Sequence, residues 1–162
     1  MIENWKYKGQ EINSIEDMKK HEPRAFGFVY FLNLYDKKTG VLKYQYIGKK
    51  NLFSVRTKYL TQKEIESSRK SELRRKKIKG VFKYYKIIRT ESDWKNYTSS
   101  NLFIKKNLGK FRIEREIILF GIDDSDLSYK EAKEIICNGC LDDDKFLNDS
   151  ISIRRFGSKL IK

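Results

Sequence analysis

Two tyrosines, an arginine, a lysine and a glutamate are the residues whose types and placement could do chemistry together. Tyr30 lies in the aromatic run Phe26–Tyr35 and Tyr46 in the run Val41–Ile47 that follows a turn at Asp36-Lys37-Lys38-Thr39-Gly40. Paired as a hairpin symmetric about Lys38, the runs place Tyr30 opposite Tyr46, with both phenols on one sheet face. Read as a helix, residues 51–60 carry an apolar stripe of Leu52, Val55 and Tyr59. At about 100° per residue Arg56 falls inside that stripe, whereas Lys58 points away. An inward arginine needs an anionic partner or a route to solvent, and its paired N–H donors suit a phosphate. Glu131 closes Ser128-Tyr129-Lys130-Glu131, which has capping-box spacing at a helix start. One carboxylate is enough for Mg²⁺, which keeps several of its waters. The chemistry open to such a set is hydrolysis at a phosphorus centre with help from a bound cation.

The elements that must position these residues read as follows. Phe26–Tyr35 is apolar on both faces and predicts a buried strand, and Val41 to Ile47 returns antiparallel to it, with Gly48 at its end. The second half of 61–90 could be a strand, and the first half a solvated helix or a loop. Ser99–Leu108 predicts a short helix stopped by Gly109, and Phe111, Ile113, Ile117 and Leu119 alternate as a third core strand. The helix opened at Ser128 carries Ala132, Ile135 and Ile136 on one face, with Glu131 on its flank and Glu134 nearly opposite. No repeat and no Pro/Gly/Ser linker marks a domain boundary. The expectation is one α+β domain: a small antiparallel sheet of about three core strands flanked by helices. Its core runs over about 26–148, with a basic insertion at about 61–90 and extensions at 1–25 and 149–162.

Composition bears on partners. The 162 residues include 36 Lys and Arg against 22 Asp and Glu, a net charge of +14 that points to phosphate backbones or anionic membranes. No stretch approaches the roughly 20 apolar residues of a membrane span, and the N-terminus lacks a basic-then-apolar signal pattern. A nucleic acid and a cytoplasmic location are therefore expected. Cys137 and Cys140 are too few for a zinc site and read as two reduced thiols. His21, the only histidine, all but excludes histidine-based catalysis. The cations offered to DNA are Lys50, Arg69, Lys70, Arg74, Arg75, Lys76, Lys77 and Lys79, then Lys83, Lys86 and Arg89, which interleave with Phe82, Tyr84 and Tyr85.

At this point the sequence resembles the GIY-YIG nuclease family. Phe28-Val29-Tyr30 looks like the first motif, with Phe for the usual Gly, and Tyr46-Ile47-Gly48 matches the second as it stands. The gap between the motifs is longer than the family's usual one. The resemblance extends to a phage-encoded branch through five ordered blocks. These are Trp5–Gly9 before Gly27–Tyr30, Tyr46–Lys50, Glu91–Tyr97 followed by Ser99-Ser100, and Tyr129–Lys133. Thr98 stands where that branch often has glycine. The resemblance implies a homing endonuclease-like enzyme that cuts DNA and leaves 3′-hydroxyl and 5′-phosphate ends, with homing, restriction, repair and host-DNA degradation all left open as its role. It implies Tyr30 as activator of the attacking water, Tyr46 as a positioning group, Arg56 on the phosphate, Glu131 as the ligand for Mg²⁺ (or Mn²⁺) and Asn148 as support. A phenol with a pKa near 10 needs positive charge beside it to act as a base, and Lys49 could supply that charge.

Each assignment keeps a plainer alternative. The tyrosines could be core aromatics, Arg56 could snorkel, Lys49 could be ordinary surface, and Glu131 could only cap its helix, leaving Glu134 as the ligand. Duplex DNA is the expected partner, met by a monomer or a transient homodimer. The alternative function is a catalytically inactive DNA- or RNA-binding protein on the same fold.

Overall fold

The computed structural model describes residues 1–69 and 73–151. Lys70 and the last part of the C-terminal extension lie outside the described residues. The chain divides into two compact units, 1–52 with 93–162, and 53–92.

The larger unit is built on a five-stranded sheet in the order β2-β1-β8-β3-β4. Its strands are β1 (Ile2–Tyr7), β2 (Gln10–Glu11), β3 (Gly27–Asp36), β4 (Leu42–Asn51) and β8 (Phe111–Gly121). The sheet is thus larger than the three strands expected, and mixed, because β1 runs parallel to β8. Nothing in the polar pattern of 1–25 announces β1: its only fully buried residue is Trp5. Helix α1 (Ile15–His21) is fixed by a capping box between Ser14 and Asp17, and the short α3 (Leu102–Lys106) by Asn101.

The β3–β4 hairpin forms with a longer return strand than expected and a shifted register. Tyr30 pairs with Gly48 and Leu32 with Tyr46, and an irregularity between Leu34 and Tyr35 absorbs the difference. The shift is two residues, so both tyrosines keep their shared face. A second bulge, in β8, leaves Ile118 unpaired, since Val29 pairs with Leu119 and Tyr30 with Ile117. Past it Ile118 and Leu119 both pack on the far side of the sheet, beside Val29, Ile47, Leu127 and Ile135.

That far side is covered by α4 (Asp124–Cys137). It begins four residues before Ser128, because Asp123 caps the Asp126 amide and the Asp126 carboxylate accepts from Ile122 N–H. The expected capping box is therefore absent: Ser128 lies inside the helix and its Oγ donates to the Asp124 carbonyl. The buried face is Leu127, Ser128, Ala132 and Ile135, while Ile136 is exposed, contrary to expectation.

The smaller unit is a three-stranded antiparallel sheet in the order β5-β7-β6, with β5 (Phe53–Tyr59), β6 (Arg74–Ile78) and β7 (Val81–Glu91), plus α2 (Gln62–Ser67). The helix expected over 51–60 does not form. Phe53, Val55, Thr57 and Tyr59 alternate with polar residues and are β-branched or aromatic, a strand pattern that a stripe of three positions had masked.

Candidate active site at the free edge of the larger sheet

β4 is an outer strand, and its free edge forms one wall of a cleft of about 580 Å³. Tyr46, Lys49, Ser100, Glu131, Asn148 and Asp149 are among the residues lining it. Along that edge the outward backbone groups are satisfied one after another. Gln45 pairs with the backbone at Lys145 and Leu147. Ile47 N–H donates to Asn148 Oδ1 at 3.0 Å, and Asn148 Nδ2 donates to the Ile47 carbonyl at 2.8 Å. The Asn148 amide thus continues the ladder as a strand residue would. It holds β4, with both ends of its side chain already committed.

Next along the edge is Lys49. Its Nζ donates to Ser128 Oγ at 2.6 Å and lies 3.4 Å from Glu131 Oε2, and its backbone N–H also faces that carboxylate. Glu131 stands on the second turn of α4, only 17% exposed. Burial raises its pKa above the ordinary value, and Lys49 partly offsets the rise. Glu134 is taken up with Asn138 one turn on.

On the other face of β4 the tyrosines cross one another. Tyr30 is fully buried, Tyr46 half-buried, and their ring centroids are 6.2 Å apart. Both rings pass over Gly48: a Cβ there would lie 2.5 Å from Tyr30 Oη and 2.8 Å from Tyr46 Cε1. Only glycine permits that approach. Burial pushes the Tyr30 pKa well above the usual value, and its neighbours Tyr97 and Tyr46 push it further, with only Ser99 opposing. Tyr46 is also raised by burial, against hydrogen bonds with Ser100 and Ser99. Lys49 therefore does not activate Tyr30. Alternation along β4 sends the lysine to the α4 side and the phenols to the other.

The loop 92–101 supplies groups that reading the sequence for chemistry did not single out. Tyr97 packs edge-on to Tyr30, Ser99 meets both phenols and Ser100 meets Tyr46. The loop is pinned by Arg115, which is buried on β8 and donates to the carbonyls of Glu3, Lys95 and Tyr97. Its signal was available: Arg115 occupies an inward position between Ile113 and Ile117. Lys50, expected on DNA, is also tied to this loop, paired with Asp93 and lying 3.8 Å from the Tyr97 ring centroid.

Over residues 5–151 the chain matches the family model described as "Putative endonuclease segE, GIY-YIG domain". The chain belongs to the GIY-YIG endonuclease family. No curated protein and no solved structure matches it. In this GIY-YIG chain the two motifs are the two sides of one crossing, with Phe28 buried among Trp5, Tyr30 and Trp94 where the family has its first glycine. Arg56 is the main departure. It lies exposed on β5 of the smaller unit, opposite Ile88, and no inward helical stripe carries it. Of the expected DNA-contacting cations, Arg69, Arg74, Arg75, Lys76, Lys77, Lys79, Lys83, Lys86 and Arg89 are exposed in that unit.

Proposed function

We propose that the protein is an endonuclease that hydrolyses DNA phosphodiester bonds with a divalent cation, Mg²⁺ or Mn²⁺, held at Glu131. The observation that carries this reading is the Glu131 carboxylate set into the β4 cleft beside Lys49 and Tyr46, within a chain of the GIY-YIG family. The donor set fits such a cation. No cluster of three acidic, His or Cys side chains exists among the described residues, and Mg²⁺ needs only one or two carboxylates with room for its waters. When bound, the cation would neutralise charge on the phosphate and ease departure of the leaving oxygen.

The chain's own groups then divide the work. Lys49 Nζ, already at Glu131, offers N–H donors to a phosphate oxygen in the cleft. Tyr46, which lines the cleft, orients the attacking water through its hydroxyl, steadied by Ser99 and Ser100. Tyr30 is a phenol at neutral pH and positions Tyr46 through the shared Ser99 rather than removing a proton. By resemblance to the family alone Arg56 is assigned to the phosphate, although it stands on a strand and not on the helix that the pattern expects.

The test is supercoiled plasmid incubated with the full chain in Mg²⁺ or EDTA, with Glu131→Ala and Arg56→Ala alongside. Cutting should require the cation and fall by about 10²–10³-fold in Glu131→Ala. If Glu131→Ala cuts as wild type, this site is wrong. DNA retardation without cutting under any cation would make the protein a binding module.

A further inference from the structure

The smaller unit holds most of the charge surplus: residues 53–92 contain thirteen Lys or Arg against four Glu. None of its described residues is fully buried, so its sheet lacks a core of its own. Pairing register sorts its side chains into two faces. Phe53, Val55, Thr57 and Tyr59 share a face with Arg74, Lys76, Ile78, Val81, Lys83, Tyr85, Ile87, Arg89 and the single acid Glu91. The opposite face carries Tyr84, Phe82 and Arg75, against which Ile65 of α2 lies, and Lys58, which pairs with Glu64 of α2.

Among the described residues of its unit the first face has no ion pair to α2, and it meets Gln62 and Ile65 only across a cleft bordered by Tyr59 and Lys83. Val55, Tyr59, Val81 and Ile87 on it are exposed, at 59%, 47%, 61% and 45%. Lys76 and Lys83 stand directly opposite one another, with no ion pair to either among the described residues. Like charges facing across strands cost stability, and here the fold does nothing to offset the cost. An anion laid along this face would.

We propose that this face of the β5-β7-β6 sheet lies in the major groove of duplex DNA, with Lys83, Tyr85, Ile87 and Arg89 of the central strand towards base edges and Arg74 and Lys76 on a flanking phosphate backbone. The proposal rests on the nuclease reading for its choice of nucleic acid. Three strands spaced about 4.8 Å apart span roughly 10 Å between their outer backbones, which suits a major groove about 12 Å wide and not a minor groove of about 6 Å. The side chains suit it as well. Cations alternate with apolar groups along β7, matching phosphate and carbonyl oxygens on one hand and thymine methyls on the other. Single strands are disfavoured because the aromatic rings of the face are already engaged. Tyr59 packs edge-on to Tyr85, and Arg89 covers Phe53 at 3.9 Å from its centroid, so no ring is laid out as a stacking platform. The β6–β7 hairpin is closed by Lys79-Gly80, both at positive φ (48° and 83°). This tight two-residue turn keeps the β6–β7 ribbon narrow.

The experiment measures binding of the full chain to a short mixed-sequence duplex in EDTA, where no cutting can occur, across a salt series. Lys83→Gln/Arg89→Gln should weaken binding about tenfold with little change in the salt slope, since both side chains are placed on base edges and not on phosphates. The charge-matched Lys77→Gln/Lys86→Gln, on the opposite face, should lose no more than about threefold, the share of general electrostatics. Methyl green, which occupies the major groove, should compete, whereas netropsin in the minor groove should not. Equal losses in the two double variants, or competition by netropsin alone, would overturn the proposal. So would wild-type binding to phosphatidylserine vesicles that exceeds duplex binding and is lost with Lys83 and Arg89. A chain that binds through this face yet never cuts in Mg²⁺ would sink the nuclease reading and leave this one standing. Mg²⁺-dependent cutting with unchanged binding in Lys83→Gln/Arg89→Gln would do the reverse.

Discussion

At the residue scale, the site is governed by how two kinds of acid respond to burial. Glu131 is displaced upward by desolvation and pulled back by Lys49. Its carboxylate holds a cation only when ionised, so activity should fall as pH drops through a value above the ordinary carboxylate range. For stability the sign is opposite. A raised folded pKa favours the protonated state, so that contribution is full below the unfolded value and disappears as pH rises through the folded one. Lys49→Met removes the offsetting charge and should move the acid limb of the plasmid-cutting pH profile to higher pH. A limb that stays put, or moves down, would show that Glu131 is not the titrating group. Tyr30 makes a second residue-scale prediction. Its burial holds the proton, so Tyr30→Phe should cost only about tenfold in turnover, short of the 10²–10⁴ that removal of a general base can cost. A single-turnover rate reduced by thousands would restore Tyr30 as the base.

At the element scale, the cleft depends on two supports, the first of which also lines it through Asn148. The 145–148 segment closes the free edge of β4, and Arg115 holds the 92–101 loop that brings Ser99 and Ser100 to the tyrosines. Burial draws the Arg115 pKa down to about 10, and three carbonyls share its donors. Arg115→Lys keeps the charge and loses the fork. It should cost about 2–3 kcal/mol in urea unfolding, the price of buried carbonyls left unpaired, and lower kcat more than KM. Wild-type stability in that variant would mean that the loop is held some other way. Much of this scale was legible beforehand. The run of 26–35, apolar on both faces, and the alternation of 111–119 gave the central strands, and the polar turn at 36–40 gave the hairpin. What escaped was β5, where one helical stripe and one strand face fit the same apolar residues, and the start of α4, where two candidate caps competed and Asp123 won.

At the scale of the whole molecule, a packed sheet-and-helix unit carries the cleft, and a second unit carries most of the charge with no buried residue among those described. Local stability follows burial, so amide hydrogens of β5, β6 and β7 should exchange far faster than those of β3 and β8 in the free protein. Saturating duplex should slow the former selectively, since a ligand stabilises what it binds. Uniform protection across both units without DNA would contradict that picture. The amino-acid sequence by itself determined the family, the two tyrosine motifs and the basic character of 61–90. Those signals are short, ordered and local, and a pattern within a few residues survives any arrangement of the rest. Tertiary structure alone decided which charge meets which group. That Lys49 serves Glu131 and not Tyr30 follows from the face of β4 it occupies, that Asn148 pairs with Ile47 follows from an unpaired strand edge, and that Arg56 lies on a strand follows from its pairing with β7. Each depends on a partner distant in the chain, and register and packing, not spacing, bring such partners together.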